Sequence, residues 1–199
     1  FNWEANMKVV SAHFTKGNSA FFFDDQRAIK AGATHDGFIY QGDPITQGFK
    51  KIRKAGESIS ITLILDDGQI ALGDCAAVQY SGAGGRDPLF LADTYIPFLI
   101  DHIKPRLEGM ELTSFKELTD QFESLIFHDA PMHTAIRYGL SQAILDGIAK
   151  SQSKMKCEVI CDEYNLPVIP EPIPIFAQSG DNRYVNVDKM ILKEVDVLP

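Results

Sequence analysis

Apolar and polar residues alternate most regularly between Glu57 and Tyr80, and this alternation predicts a β-hairpin. Every second position of its first half is apolar, at Ile59, Ile61, Leu63 and Leu65, which is the period-two pattern of a strand. Asp67-Gly68 follows, and a tight hairpin turn needs positive φ values that glycine tolerates. The short apolar stretch Met7–Phe14 predicts a further strand. The N-terminal part is therefore expected to contain antiparallel β-structure.

Capping residues and small-residue spacing predict three helices after the hairpin. Asp87-Pro88 is a helix-start pair, because Asp caps and Pro fits the first turn, and it predicts a helix from Pro88 to about Leu107. Ser114, with Glu117 three residues later, predicts a second helix to about Phe127. The third runs from His133 to about Ser151. Small residues recur in it at every fourth position, at Ala135, Gly139, Ala143 and Gly147. Such a ridge indicates a buried central helix against which another element packs closely.

The last part of the chain changes character. A short helix is predicted from about Lys154 to Tyr164, and the Pro-rich stretch Asn165–Pro172 indicates an interdomain linker. A brief strand, Ile173–Gln178, and a helix from about Asn182 to Val195 follow. Because one β–α unit cannot bury both of its faces alone, we expect this segment to be the beginning of a second domain.

Composition and charge exclude several classes of function. The 199 residues are 45% hydrophobic and 23% charged, with a formal net charge of −8. Nucleic-acid binding needs a basic surface, which this acidic chain lacks. No apolar run reaches the roughly 18 residues that predict a membrane span, and no secretory signal is visible. Three cysteines are an odd number and favour a reducing compartment. These features predict a cytoplasmic globular protein.

Candidate chemistry on spacing alone is sparse. Gly82–Arg86 lies between a strand and a helix, where backbone N–H groups can hold an anion, but it fits neither the phosphate-loop nor the dinucleotide pattern. Asp24–Asp36 concentrates titratable groups on a Gly-punctuated stretch, which is either a solvated loop or a lid. Cys157 and Cys161 are interpreted as packed or surface thiols, and His133 as a cap or packed polar side chain.

Four stretches together carry a resemblance to a known family. They are Phe23–Lys30, Gly73–Phe90, His133–Gly139 and Phe176–Asp181. Each closely resembles the corresponding stretch of the methylaspartate ammonia-lyase family, which belongs to the enolase superfamily. The resemblance covers nearly everything from Met7 to Pro199.

The fold implied by the resemblance agrees with the order of the predicted elements. It is an α+β fold in which residues 7–165 form an enolase-type N-terminal capping domain, an antiparallel β-meander plus a helical bundle. Residues 166–199 would then be the linker and the first β–α unit of a truncated TIM-type barrel, with the rest absent. Residues 1–6, which precede Met7, are interpreted as a leader or as added residues.

The resemblance also implies a reaction. The family is a carbon–nitrogen lyase that reversibly eliminates ammonia from 3-methylaspartate to give mesaconate, on the methylaspartate route of glutamate fermentation. The complete enzyme would be a homodimer that uses Mg²⁺ and a monovalent cation such as K⁺ as activator. Pro172–Pro199 is far shorter than the about 250 residues of a whole barrel. The catalytic and metal residues are therefore expected outside this chain, which alone is predicted to be inactive and to bind no cofactor.

Three substrate contacts carry over by resemblance. Gln178 matches the glutamine that hydrogen-bonds a substrate carboxylate, and Phe176 and Gln79 match positions that line the same pocket. An amide suits this role because it donates to a carboxylate without repelling it. Two alternatives stay open: a non-catalytic capping module that docks on a separate barrel chain, and an unrelated anion-binding α+β domain.

Overall fold

The computed structural model describes residues 6–77, 87–180 and 182–198. The chain divides into two compact units, Phe1–Leu166 and Pro167–Pro199. Among the described residues, no helix has both the length and the apolar character needed to cross a membrane.

Strands and helices alternate in groups along the chain. The strands are β1 (Val9–Asp24), β2 (His35–Asp36), β3 (Ile39–Tyr40), β4 (Arg53–Leu65), β5 (Ile70–Ala76), β6 (Ile126–Phe127) and β7 (Ala130–Pro131). The helices are α1 (Gln26–Lys30), α2 (Ala92–Phe98), α3 (Lys104–Leu107), α4 (Phe115–Glu123), α5 (Thr134–Ser151), α6 (Lys156–Glu163) and α7 (Arg183–Leu192). A π-helical turn, Leu99–Ile103, joins α2 to α3.

The main sheet is an antiparallel meander in the order β1-β4-β5. The predicted hairpin is confirmed, since the four alternating apolar residues of β4 are all almost completely buried and Gly68 adopts a φ of 85°. The predicted first strand is too short, because β1 continues to Asp24. The extension pairs Phe22 with Ala55 after an irregularity in the register.

The Gly-punctuated stretch after β1 is more regular than the predicted loop. It contains α1 and the small ladder of β2 with β3, in which His35 lies opposite Tyr40. Their rings meet edge to face with centroids 5.8 Å apart. This order has no period-two or helical signature in the sequence, because the elements are only two to five residues long.

The helix predicted to begin at Pro88 begins instead at Ala92. The reason lies in distant partners: Asp87 Oδ1 accepts from Thr134 N at 3.4 Å, and Pro88 O pairs with His133 Nε2 at 3.1 Å. Asp87-Pro88 thus contacts the N-terminus of α5 rather than capping its own helix. The predicted end at Leu107 is confirmed, although a π-helical turn interrupts the helix.

The second predicted helix begins as expected and ends early. Ser114 Oγ accepts from Glu117 N at 3.3 Å, as an N-cap does. The carboxylate of Glu163 on α6 accepts hydrogen bonds from two further backbone amides of this first turn, including Lys116 N at 2.8 Å. The helix ends at Glu123 rather than Phe127 because β6 and β7 form a small hairpin there.

The central helix α5 is confirmed together with its ridge of small residues. A Cβ on Gly73 of β5 would collide with Gly139 O, and a Cβ on Gly139 would collide with Cys75 Sγ. Helix and sheet therefore approach more closely than any larger residue allows, which offsets the roughly 1 kcal/mol that a helix-interior glycine costs against alanine. Cys75 and Ala143, which lie at this contact, belong to the hydrophobic core.

Polar side chains of α5 also cover the outer edge of β5. Asp146 Oδ2 accepts from Leu72 N at 2.9 Å and Gln142 Oε1 accepts from Asp74 N at 3.2 Å. Lys150 Nζ donates to the Asp146 carboxylate at 2.7 Å and holds it in place. An uncovered strand edge invites pairing with another chain, so these contacts protect the sheet from association through β5.

Candidate functional site

The segment predicted as the first barrel strand contains a single bridge rather than a regular strand. Phe176 forms an isolated parallel bridge with Val197, supported by Ala177 N donating to Val197 O at 3.2 Å and Val197 N donating to Ile175 O at 3.1 Å. The pairing is short because, among the described residues of this unit, Phe176 and its neighbours have only Val197 and its neighbours as backbone partners. The predicted helix after it is present as α7, with ends three residues or less from those expected.

The two predicted site residues in this segment are both exposed. Phe176 exposes 57% of its surface, and no hydrogen bond to another described residue engages the Gln178 side chain. The next residue, Ser179, is buried, and its carbonyl accepts from Asn186 Nδ2 of α7 at 2.7 Å. The turn after Gln178 is thus anchored to α7.

The third predicted contact, Gln79, lies outside the described residues, as does the whole of Gly82–Arg86. The expectation that Gln79 and Gln178 converge on one pocket therefore stays a prediction.

The polar stretch Asp24–Asp36 contains one completely buried carboxylate, that of Asp25. Its Oδ1 caps α1 by accepting from Arg27 N at 3.1 Å and Ala28 N at 3.4 Å. Its Oδ2 accepts from Ile45 N at 2.6 Å and Thr46 N at 2.8 Å, and Thr46 Oγ1 donates to Oδ1 at 2.6 Å. Asp25 therefore joins α1 to a loop 20 residues further along the chain.

Burial alone would raise the pKa of Asp25, and it is the largest single influence on that group. The hydrogen bonds from Thr46, Ile45 and Ala28 outweigh it and hold the pKa below the ordinary value of 3.8. A carboxylate that is fully bonded and ionised is a poor proton donor or acceptor for a substrate. Its role is to fix the loop, not to react.

The neighbouring Asp24 is paired with Arg53 across the sheet. Arg53 Nε and Nη2 each donate to one Asp24 oxygen at 2.7 Å, a bidentate geometry that fixes the guanidinium plane. The same guanidinium lies over the rings of Phe22, at 5.3 Å, and Tyr40, at 4.9 Å. Residues 25–52, which connect β1 to β4, are therefore held in place by Asp25 and by Arg53.

Sequence reasoning placed Asp24 and Asp25 in a solvated loop or lid but did not assign them structural roles. The available signal was local: Asp25 precedes a short helix in the position of an N-cap. The partners Thr46 and Arg53 had no such signal, because their contacts span 21 and 29 residues of sequence.

His133 takes the structural role that was predicted for it. Its Nδ1 accepts from Ala135 N at 3.0 Å as the N-cap of α5, and its ring packs against Phe90 and Tyr95. Burial is the main cause that lowers the pKa of His133 below 6.5. A buried neutral ring that already accepts one hydrogen bond is a packing group.

The described residues do not fit a magnesium site. Within residues 6–77, 87–180 and 182–198, no three His, Cys, Asp or Glu side chains come together as metal ligands, whereas Mg²⁺ demands near-octahedral oxygen ligands.

Two family models together match residues 7–165 and 167–199 of this chain. A family model described as the methylaspartate ammonia-lyase N-terminus matches residues 7–165, and one described as its C-terminus matches residues 167–199. This chain belongs to the methylaspartate ammonia-lyase family. The boundary between the two matches falls beside Leu166, where the two compact units also divide.

Similar curated proteins come from several organisms. The methylaspartate ammonia-lyase of Citrobacter amalonaticus is 61% identical over 97% of this chain and 47% of its own length. That of Clostridium tetanomorphum is 57% identical with the same coverage, and that of Haloarcula marismortui is 45% identical over 97% of this chain and 46% of its own. The chain thus spans about half the length of the curated relatives it matches.

Solved structures confirm the fold. The Citrobacter amalonaticus methylaspartate ammonia-lyase containing (2S,3S)-3-methylaspartic acid matches with a TM-score of 0.91 and 61% identity, over 96% of this chain and 47% of its own. The magnesium complex of Clostridium tetanomorphum β-methylaspartase also gives 0.91, at 57% identity over 96% and 46%. Muconate cycloisomerase from Pseudomonas fluorescens gives a TM-score of 0.58 at 14% identity, over 96% of this chain and 42% of its own, which shows a similar fold alone.

Proposed function

We propose that this chain is the N-terminal portion of a carbon–nitrogen lyase that eliminates ammonia from 3-methylaspartate to give mesaconate. The observation that carries the proposal is the match of both family models together with 61% identity to the Citrobacter amalonaticus enzyme, whose solved structure contains 3-methylaspartic acid. The residues 7–165 would act as the capping domain and 166–199 as the linker and first β–α unit of the barrel.

The contribution of this chain to the reaction would be substrate binding. The Gln178 amide, which is exposed and follows the Phe176 bridge, would donate a hydrogen bond to a substrate carboxylate. The exposed ring of Phe176 would supply an apolar wall for the substrate methyl group, and Gln79 would approach the same pocket from the capping domain.

The complete enzyme would use Mg²⁺, in line with the magnesium complex of the Clostridium tetanomorphum relative. A divalent cation stabilises the negative charge that develops when a proton is removed beside a carboxylate. The metal ligands and the base would come from residues beyond those in this chain. Activation by K⁺ and assembly as a homodimer belong to the same proposal.

A chimeric enzyme tests the proposal. Residues 7–199 of this chain would replace the matching N-terminal part of the Citrobacter amalonaticus enzyme, and mesaconate formation would be followed by ultraviolet absorbance with Mg²⁺ and K⁺ present. We expect the chimera to be active and the 199-residue chain alone to form no mesaconate. A chimera that is folded by circular dichroism but forms no mesaconate, beside an active parent enzyme, would refute the proposal.

The same materials test the alternative of a separate docking module. The 199-residue chain would be mixed with the remaining C-terminal part of the Citrobacter amalonaticus enzyme as a second chain. Mesaconate formation in this mixture would support a module that docks on a separate barrel. Activity in the covalent chimera alone would favour one continuous enzyme.

The assigned substrate contact is tested in the chimera by Gln178→Ala. Loss of one charge-assisted hydrogen bond should raise KM and lower kcat/KM by about 10- to 100-fold. Gln121→Ala, at an exposed position of α4, is the matched control and should leave both constants unchanged. Gln79→Ala should have a smaller effect than Gln178→Ala, because water partly replaces a capping-domain contact. Equal kinetics for the Gln178 and Gln121 variants would exclude Gln178 from the substrate site.

A further inference from the structure

A cavity of about 410 Å³ lies in the first compact unit, between the π-helical turn and the β6–β7 hairpin. This volume falls in the ~300–1,000 Å³ range of small-molecule sites. Its apolar lining includes Phe98 and Phe127, whose rings meet edge to face with centroids 4.7 Å apart. The polar groups at its lining are Thr94, Asp101, His102, Arg106 and His128. None of these residues takes part in the proposed lyase site.

Two irregular backbone segments shape this cavity. The π-helical turn, Leu99–Ile103, widens the helix at His102, and π-helical turns occur frequently at functional sites. The tip of the β6–β7 hairpin consists of His128 and Asp129, with φ values of 48° and 63°. Residues other than glycine rarely adopt this left-handed backbone conformation, because it costs energy. The fold therefore places His128 beside Phe127, with ring centroids 4.1 Å apart, at a conformational cost.

The charges at the cavity favour an anion. Arg106 Nε donates to the backbone carbonyl of His102 at 3.1 Å, which orients the guanidinium. Among the described residues, no acidic group lies within ion-pair distance of Arg106, so its two terminal nitrogens have no carboxylate partner. Two imidazoles, of His102 and His128, stand at the same cavity and can donate hydrogen bonds. The acidic group at the lining is Asp101.

We propose that this cavity binds a small carboxylate with a flat apolar body. The planar fork of Arg106 matches a carboxylate in a bidentate geometry, and the two histidines that line the same cavity offer further donors. One guanidinium beside one acidic group favours a single negative charge over a polyanion. The edge-to-face rings of Phe98 and Phe127 offer an apolar wall against which a flat body packs.

Benzoate is the probe for this proposal, titrated into the 199-residue chain and followed by NMR. The chain has five histidines, so single substitutions assign their ring signals. Saturable shifts are expected for His102 and His128 but not for His13 or His35, with a Kd on the order of 1 mM. No saturable shift at either cavity histidine up to about 10 mM benzoate would overturn the proposal.

Variants and analogues separate the charge from the apolar body. Arg106→Gln should weaken benzoate binding about tenfold, whereas Arg27→Gln, at an exposed position of α1, should leave it unchanged. His128→Asn keeps a residue type that tolerates positive φ, so it should preserve the turn while weakening binding several-fold. Equal binding by Arg106→Gln and Arg27→Gln would refute the assignment of Arg106.

Two further ligands complete the test. Benzyl alcohol has the same flat body without the charge, and inorganic phosphate has charge without the flat body, so both should bind at least about tenfold more weakly than benzoate. Phosphate binding as tight as that of benzoate would refute the apolar part of the site. Equally tight binding of benzyl alcohol would refute the anionic part.

Discussion

Replacement of Asp25 is expected to destabilise the first unit more than most surface changes. The carboxylate is completely buried and accepts from four backbone amides and one hydroxyl. In Asp25→Ala all five donors lose this acceptor, and the loop at Ile45 and Thr46 is no longer tied to α1. In Asp25→Asn one oxygen remains, but the new amide group faces the same donors.

The size of the effect follows from the kinds of bond that are lost. Loss of an N-cap costs about 1 kcal/mol, and loss of the charged hydrogen bonds to the loop adds about 2 to 3 kcal/mol, since a hydrogen bond to an ionised group contributes about 1.5 to 3 kcal/mol. The loop amides are partly accessible to water, which limits the cost of leaving them unpaired. We expect a loss of about 3 to 4 kcal/mol for Asp25→Ala and about 2 kcal/mol for Asp25→Asn.

Urea denaturation followed by far-ultraviolet circular dichroism measures these differences. Asp43→Ala is the matched control, because Asp43 lies exposed in the same region and should change stability by less than about 0.5 kcal/mol. Equal midpoints for the Asp25 and Asp43 variants, at unchanged slope, would refute the structural role of Asp25.

The pH dependence provides a second readout of the same carboxylate. The pKa of Asp25 is below 3.8 in the folded chain, so its contribution is fully present above the unfolded pKa and is lost as pH falls through the folded pKa. The difference in free energy of unfolding between wild type and Asp25→Ala should therefore be constant from about pH 5 to 7. It should narrow below pH 3.8, and a difference that widens there would contradict the argument.

Two further predictions concern the packing of α5 on the sheet. Gly139→Ala should cost about 2 to 3 kcal/mol, because its Cβ collides with Cys75 Sγ and nearby backbone. In the control Gly147→Ala, on the same helix, the new Cβ meets the end of a flexible side chain at 3.0 Å. Its free energy of unfolding should stay within about 1 kcal/mol of wild type in the same urea assay. Similar losses of stability in both variants would refute the close approach of helix and sheet. Asp146→Ala should uncover the edge of β5 and cause concentration-dependent association in light scattering, whereas Asp188→Ala on α7 should not; a monomeric Asp146 variant would contradict edge protection.

Most of the first unit could be predicted from the sequence because its signals are local. The alternation of β4, the Asp67-Gly68 turn and the small residues of α5 each act on their own element and its nearest neighbour. The resulting predictions of a hairpin and of a buried helix His133–Ser151 are confirmed. Where local preference and tertiary contacts agree, reading a sequence succeeds.

The errors occur where a local signal has a distant partner. Asp87-Pro88 has the composition of a helix start, yet its groups bond to His133 and Thr134. The sequence around Asp25 predicts a solvated loop or a lid, whereas the structure buries Asp25 and gives it loop partners 20 and 21 residues away. No pattern within a window of a few residues contains such pairings.

The candidate site depended on resemblance rather than on spacing. Gln178 and Phe176 stand out neither by burial nor by charge, and both lie exposed in the second unit. Only the match of Phe176–Asp181 to a known family singled them out. The His102, Arg106 and His128 cavity had no sequence signal, because two of its walls are made by irregular backbone, a π-helical turn and a left-handed hairpin tip.

The two units differ in how they are stabilised, and this decides what each experiment measures. The first buries a continuous apolar core, whereas the second leaves Ile173 85%, Tyr184 92% and Leu192 83% exposed and buries Met190. A β–α unit with its apolar residues exposed needs another surface to cover it. Cooperative unfolding of this chain therefore reports on the first unit, which contains Asp25, Gly139 and Asp146. Substitutions in the second unit, such as that of Gln178, have to be judged by kinetics in the chimera, where the rest of the relative's chain is present.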